Sequence, residues 1–161
     1  MQGLLLFKTM IATQGLIAAP LGDARVSAVD VRDIADVAVA ALTEPGHEGA
    51  SYDLTGPEAL KHGDMANRLS IVLERRVDFA GVTASAFRDT LLAVGMPAWQ
   101  VDGLIEDYAH YARGEAAAVA PDVRRVTGHA PRSFDDFARD FEDAFKKPAP
   151  AFEKAPIGFT P

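Results

Sequence analysis

The sequence predicts an α/β fold, with a few short strands in the first half and mostly helices after them. Three observations carry this. Short runs rich in β-branched or apolar residues at 25–31, 51–55 and 77–80 read as strands. Longer runs with an apolar repeat of three to four residues lie between and beyond them. Gly-Pro and Pro-Gly pairs at Pro45-Gly46 and Gly56-Pro57 separate the two kinds of run.

Taken in order, residues 3–13 predict a helix that buries Leu4, Leu5, Met10 and Ile11 and stops at Gly15. Residues 20–24 read as a turn. The first strand carries Val26, Ala28 and Val29. A strong helix over 34–42 follows, with Asp33 placed to accept hydrogen bonds from its first amides. After the strand at 51–55, a helix starts at Lys61 or Gly63 and runs to Leu73, with Met65, Leu69, Val72 and Leu73 on one face. The strand at 77–80 leads to a helix capped by Thr83 or Ser85, which carries Phe87, Leu91 and Leu92 and closes at Gly95. Pro97 opens the next helix, to about Tyr111. A short helical turn covers 123–126. Ser133 opens the last helix, with Asp136 in near capping-box position and Phe134, Phe137, Phe141 and Phe145 on one stripe. Residues 1–145 form one unit, and 146–161, with four prolines and no helical period, read as a tail. Three strands are too few for an independent doubly wound sheet.

Composition narrows the function classes. The 161 residues suit one domain with a sizeable core. A net charge of −7 argues against nucleic acid and anionic membranes as partners. The absence of cysteine excludes disulfides, thiolate catalysis and zinc–thiolate sites, and it fits the cytoplasm. The apolar start is broken by Lys8, Gln14 and Gly15, which does not match a secretion signal, and no run is long enough for a membrane span.

Catalytic motifs fail one by one. No glycine-rich strand–loop–helix is present to cradle a pyrophosphate. Gly46 and Gly49 make the nearest pair, and they follow a helix. No tyrosine has a lysine four residues on. His47, His62, His110 and His129 are scattered and read as surface or loop residues, so no metal site is assigned. No serine sits in a nucleophile elbow. No catalytic residue is assigned. Trp99, Tyr108 and Tyr111 are either pocket walls or ordinary core.

Three stretches together resemble the NmrA-like family of NAD(P)-binding proteins, an atypical short-chain dehydrogenase group. They are VDVRDIADVAVAAL at 29–42, YDLTGPEA at 52–59 and VTGHAPRSFDDFA at 126–138. The resemblance covers residues 1–145 and points to the carboxy-terminal part of a Rossmann-type fold, with a mainly helical substrate-binding subdomain. It implies NADP or NAD as the cofactor of the full-length family. No cofactor is expected for this chain alone, because the glycine loop lies in the part of relatives that precedes it. MQGL at 1–4 matches a family segment near the nicotinamide, so Met1 and Gly3 are the cofactor-side candidates, and Gly3 replaces an amide side chain. The substrate-pocket candidates are Ile17, Pro20, Phe87, Trp99 and Tyr108. The resemblance implies the substrate-side half of an NAD(P)H-dependent quinone or azo reductase, not catalytic alone, with a small-molecule substrate. The alternative is a redox-sensor or regulatory module acting through a protein partner. Self-association through exposed apolar surface is a further expectation.

Overall fold

The structure is a computed structural model that describes residues 1–146. The tail assigned to 146–161 lies outside the described residues, apart from Lys146, which belongs to the last helix.

The predicted helix over 3–13 is two pieces. A 3-10 turn, Gln2–Phe7, runs into α1, Lys8–Gln14. The tighter winding puts residues three apart on one side, and Leu4 and Phe7 are both buried there. Gly15 ends α1 in the left-handed region at φ 63°. A Cβ at Gly15 would stand 2.5 Å from the Arg76 carbonyl oxygen, so only glycine fits this turn.

Strand β1, Leu16–Ala19, follows at once, in a stretch to which the sequence reading assigns no element. It pairs in parallel with β4, Asp78–Gly81, in the register Leu16↔Asp78 to Ala19↔Gly81. Four residues of Leu, Ile and Ala are too short a run to show a period, and the pairing supplies the strand. Ile17 and Ala19 point into the core. The predicted strand 25–31 shrinks to β2, Arg25–Val26, antiparallel to β3, Leu60–Lys61. Residues 51–55 form no ladder among the described residues. The backbone there is bonded to a side chain instead: the Asp53 N–H donates to Asp122 Oδ2 at 2.9 Å.

Helix α2, Val31–Thr43, starts earlier than predicted, and its cap is Asp30. Asp30 Oδ1 accepts from the Arg32 N–H at 2.9 Å, and the Gln2 amide donates to the same carboxylate at 2.9 Å. The Gln2 carbonyl in turn accepts from the Val31 N–H at 2.9 Å. Burial acts to raise the Asp30 pKa, but the hydrogen bonds from Arg32 and Gln2 outweigh it and hold the carboxyl well below the usual range. Asp33, expected as the cap, is one helical turn too far along. It is fully buried and bonded to Arg132.

Helices α3, His62–Val72, and α4, Ala84–Ala93, flank β4 in sequence. Of the two candidate caps for α4, Thr83 is the one used: its Oγ1 accepts from the Ala86 N–H at 3.2 Å. Then come α5, Ala98–Ala112, and α6, Asp122–Thr127. Helix α7, Phe134–Asp140, opens with a reciprocal Ser133–Asp136 box, and α8, Glu142–Lys146, follows a break at Phe141. Phe137 holds the aromatic stripe together, with ring centroids 5.7 Å from Phe134, 4.9 Å from Phe141 and 6.1 Å from Phe145. Arg75 ties α8 back to α1 by donating to the carbonyls of Ile11 at 2.6 Å and Phe145 at 3.2 Å. Among the described residues, no helix is long and apolar enough to cross a membrane.

Candidate functional site

A cleft of about 640 Å³ opens between the amino-terminal turn and α5. Met1, Gly3, Leu4 and Phe7 form one wall. Three extended segments form another: residues 26–29, residues 53–55, and the loop that carries Ala116, Ala118 and Ala120. These segments are laced together through side chains. The Ser27 hydroxyl donates to Ala118 O at 2.6 Å, and the Ala120 N–H donates to Thr55 Oγ1 at 2.9 Å. The Gly56 N–H donates to Ser27 O at 3.1 Å, and a Cβ at Gly56 would collide with the Ala28 carbonyl oxygen. Glycine there lets two backbones touch and so sets the wall.

Helix α5 supplies the third wall with Leu104, Asp107, Tyr108 and Tyr111, spaced to share one helical face. Tyr108 meets Tyr111 edge-on at 5.8 Å and Phe87 edge-on at 5.3 Å, and Phe87 in turn stacks on Phe7 at 6.4 Å. Burial pushes the Tyr108 phenol up to about 12, with smaller help from Tyr111 and Asp107. Tyr111 is also pushed up to about 12, by burial and by its 2.9 Å hydrogen bond to Asp107. Both phenols therefore keep their protons at neutral pH. The Tyr111 proton is committed to Asp107, whereas the Tyr108 hydroxyl has no hydrogen-bond partner among the described residues.

His62 and Met65, from the first turns of α3, complete the lining with Phe134. His62 is only 7% exposed, and its Nδ1 is buried without a hydrogen-bond partner among the described residues. Burial lowers its pKa to about 4, so the ring is neutral. Its ring lies 5.7 Å from that of Phe79.

The candidates read from sequence divide sharply. Met1, Gly3 and Tyr108 line the cleft. Ile17 and Phe87 are core residues: Ile17 lies in the buried face of β1, and Phe87 backs Tyr108 from behind. Pro20 sits in the turn after β1, away from the cleft lining. Trp99 is 77% exposed, because it lies on the side of α5 opposite the packed residues. His62 is buried, not a surface residue. The helical spacing of residues 104, 107, 108 and 111 could have revealed the α5 wall, but nothing local marked His62. Among the described residues no His, Asp or Glu cluster has metal-site geometry.

No protein-family model matches the chain. Over 145 residues it is 39% identical to the NAD(P)H azoreductase of Xenophilus azovorans, spanning 90% of this chain and 51% of that protein. This relative is an NmrA-like, NAD(P)-binding protein, as the sequence resemblance implies. Two solved structures share the fold of this chain. An NADPH-dependent quinone oxidoreductase from Escherichia coli, in complex with NADPH, matches with a TM-score of 0.81 at 20% identity, over 88% of this chain and 50% of that one. Triphenylmethane reductase from Citrobacter sp., with NADP(H), gives 0.74 at 23% identity, over 86% and 47%. The chain thus spans about half the length of the relatives it matches, and it corresponds to the carboxy-terminal part of their fold.

Proposed function

We propose that residues 1–145 act as one substrate-side unit and form the acceptor-binding wall of an NAD(P)H-dependent reductase of azo- or quinone-type compounds. One observation carries this reading. A largely apolar cleft sized for a small molecule is lined by His62, whose buried Nδ1 no described residue satisfies, and by Tyr108, whose hydroxyl makes no hydrogen bond to a described residue. The azoreductase similarity supplies the reaction class.

The fit to a dinucleotide is partial. The glycines with no room for a side chain, Gly15 and Gly56, press against the carbonyls of Arg76 and Ala28 and serve chain packing. No described strand leads into a glycine cradle for the pyrophosphate. The nicotinamide end is different, because a Cβ at Gly3 would meet nothing within 4 Å beside the cleft. Reduced nicotinamide, when bound, supplies a hydride to the acceptor. Tyr108, still protonated at neutral pH, donates a hydrogen bond to the acceptor oxygen or nitrogen that gains charge. Neutral His62 polarises the opposite side of the acceptor. The apolar wall around Leu4 and Phe7 excludes water from the ring. A cytoplasmic location would supply the reduced cofactor.

Calorimetric titration with a neutral azobenzene tests the reading. Saturable binding is expected, and Gly3→Phe, which fills open space without a backbone clash, should abolish it while the thermal midpoint stays put. Undiminished binding in Gly3→Phe would reject the cleft as the acceptor site.

A second reading has one observation in its favour. Val31, Val39 and Leu42 form an exposed apolar stripe on α2. We propose that this stripe mediates association with a second copy or a protein partner. Light scattering that stays monomeric at high concentration would count against self-association.

A further inference from the structure

We propose that the cleft selects by charge, favouring cationic or neutral aromatic acceptors and rejecting anionic ones such as sulfonates. The inference deepens the acceptor-wall reading and rests on it. Every charged side chain lining the cleft is acidic: Asp53, Asp107 and Glu115; the Met1 ammonium, also in the lining, is bonded to the Val29 carbonyl. No lysine or arginine lines it among the described residues. Glu115 is already neutralised, because Arg113 Nε and His110 Nδ1 each lie 2.5 Å from its oxygens. Asp107 accepts only the neutral Tyr111 hydroxyl, and the Asp53 carboxylate has no partner among the described residues. Two carboxylates at the mouth therefore keep uncompensated charge.

The floor points to a ligand independently of those acids. His62 is among the lining residues; it is buried and neutral, its Nδ1 has no partner among the described residues, and it brings no positive charge to meet an anion. The Tyr108 and Tyr111 rings also line the cleft, and aromatic rings attract cations and not anions. The net charge of −7 extends the same preference to the approach path.

The test uses three azobenzenes of one size, carrying a para-trimethylammonium group, no charge, or a para-sulfonate, titrated calorimetrically into the full chain. The cation should bind roughly ten-fold tighter than the sulfonate at low ionic strength, with the neutral dye between them. The gap should narrow in high salt. It should also narrow to about two-fold in the Asp53→Asn/Asp107→Asn double variant, in which the new amide at position 107 still accepts from Tyr111. Equal binding of all three dyes, tighter binding of the sulfonate, or an undiminished gap in the double variant would overturn the charge selectivity and leave the acceptor-wall reading standing. Failure of all three to bind would overturn the acceptor-wall reading itself.

Discussion

Asp33 and Arg132 join the start of α2 to the approach of α7 across 99 residues of sequence. The Arg132 N–H donates to Asp33 Oδ2 at 2.8 Å, and the Arg132 guanidinium bonds to the other oxygen of Asp33 and to Asp36 at 2.9 Å. The Asp33 side chain is wholly buried, whereas Asp36 is partly open to solvent. Removing the acceptor leaves a backbone amide and part of a guanidinium unsatisfied. Asp33→Ala should therefore cost roughly 2–4 kcal/mol in urea denaturation. Asp36→Ala should cost less than about 1 kcal/mol. Equal losses would mean that burial does not set the value of this pair.

His62 makes stability depend on pH. Its folded pKa, lowered to about 4 by burial, lies below its ordinary value of 6.5, so the unfolded chain binds the extra proton first. The contribution is fully present above about pH 6.5 and is lost as pH falls toward 4. The loss should total about 3 kcal/mol. Denaturation midpoints across that window should fall in the wild type and stay flatter in His62→Leu. A parallel slope in both proteins would place the titration elsewhere.

Tyr108→Phe removes only a hydroxyl. The ring still packs edge-on against Phe87 and Tyr111, so the fold should be retained. Affinity for a quinone should fall roughly five- to ten-fold, the loss of one hydrogen bond to an uncharged acceptor. An unchanged affinity would show that the phenol does not touch the acceptor.

Two glycine substitutions should act in opposite directions. Gly56→Ala drives a Cβ into the Ala28 carbonyl and should cost about 2–3 kcal/mol while loosening the cleft wall. Gly63→Ala, within α3 and with open space around its Cβ, should stabilise by about 0.5–1 kcal/mol. Chemical denaturation of the two variants side by side measures both.

Local chemistry was legible in the order of the amino acids. The apolar period placed α2 through α5 to within a few residues, Gly15 marked the end of α1, and Ser133 with Asp136 marked the start of α7. The three motifs at 29–42, 52–59 and 126–138 carried the family resemblance, because each is a contiguous stretch and their order is read along the chain. These signals are short-range: a cap, a turn or a helical face is decided by residues a few positions apart.

Features that depend on a distant partner were fixed only by long-range packing. Strand β1 exists because β4, far along the chain, accepts its ladder. Asp30 became the cap, and Asp33 was freed to hold Arg132. Trp99, Tyr108 and Phe87 looked alike as aromatics in the sequence, yet one faces solvent, one lines the cleft and one supports it from behind. His62 carried no local mark at all. Its burial and its missing partner arise from Phe79 and the cleft around it, and long-range packing of that kind is not written in any single stretch of the chain.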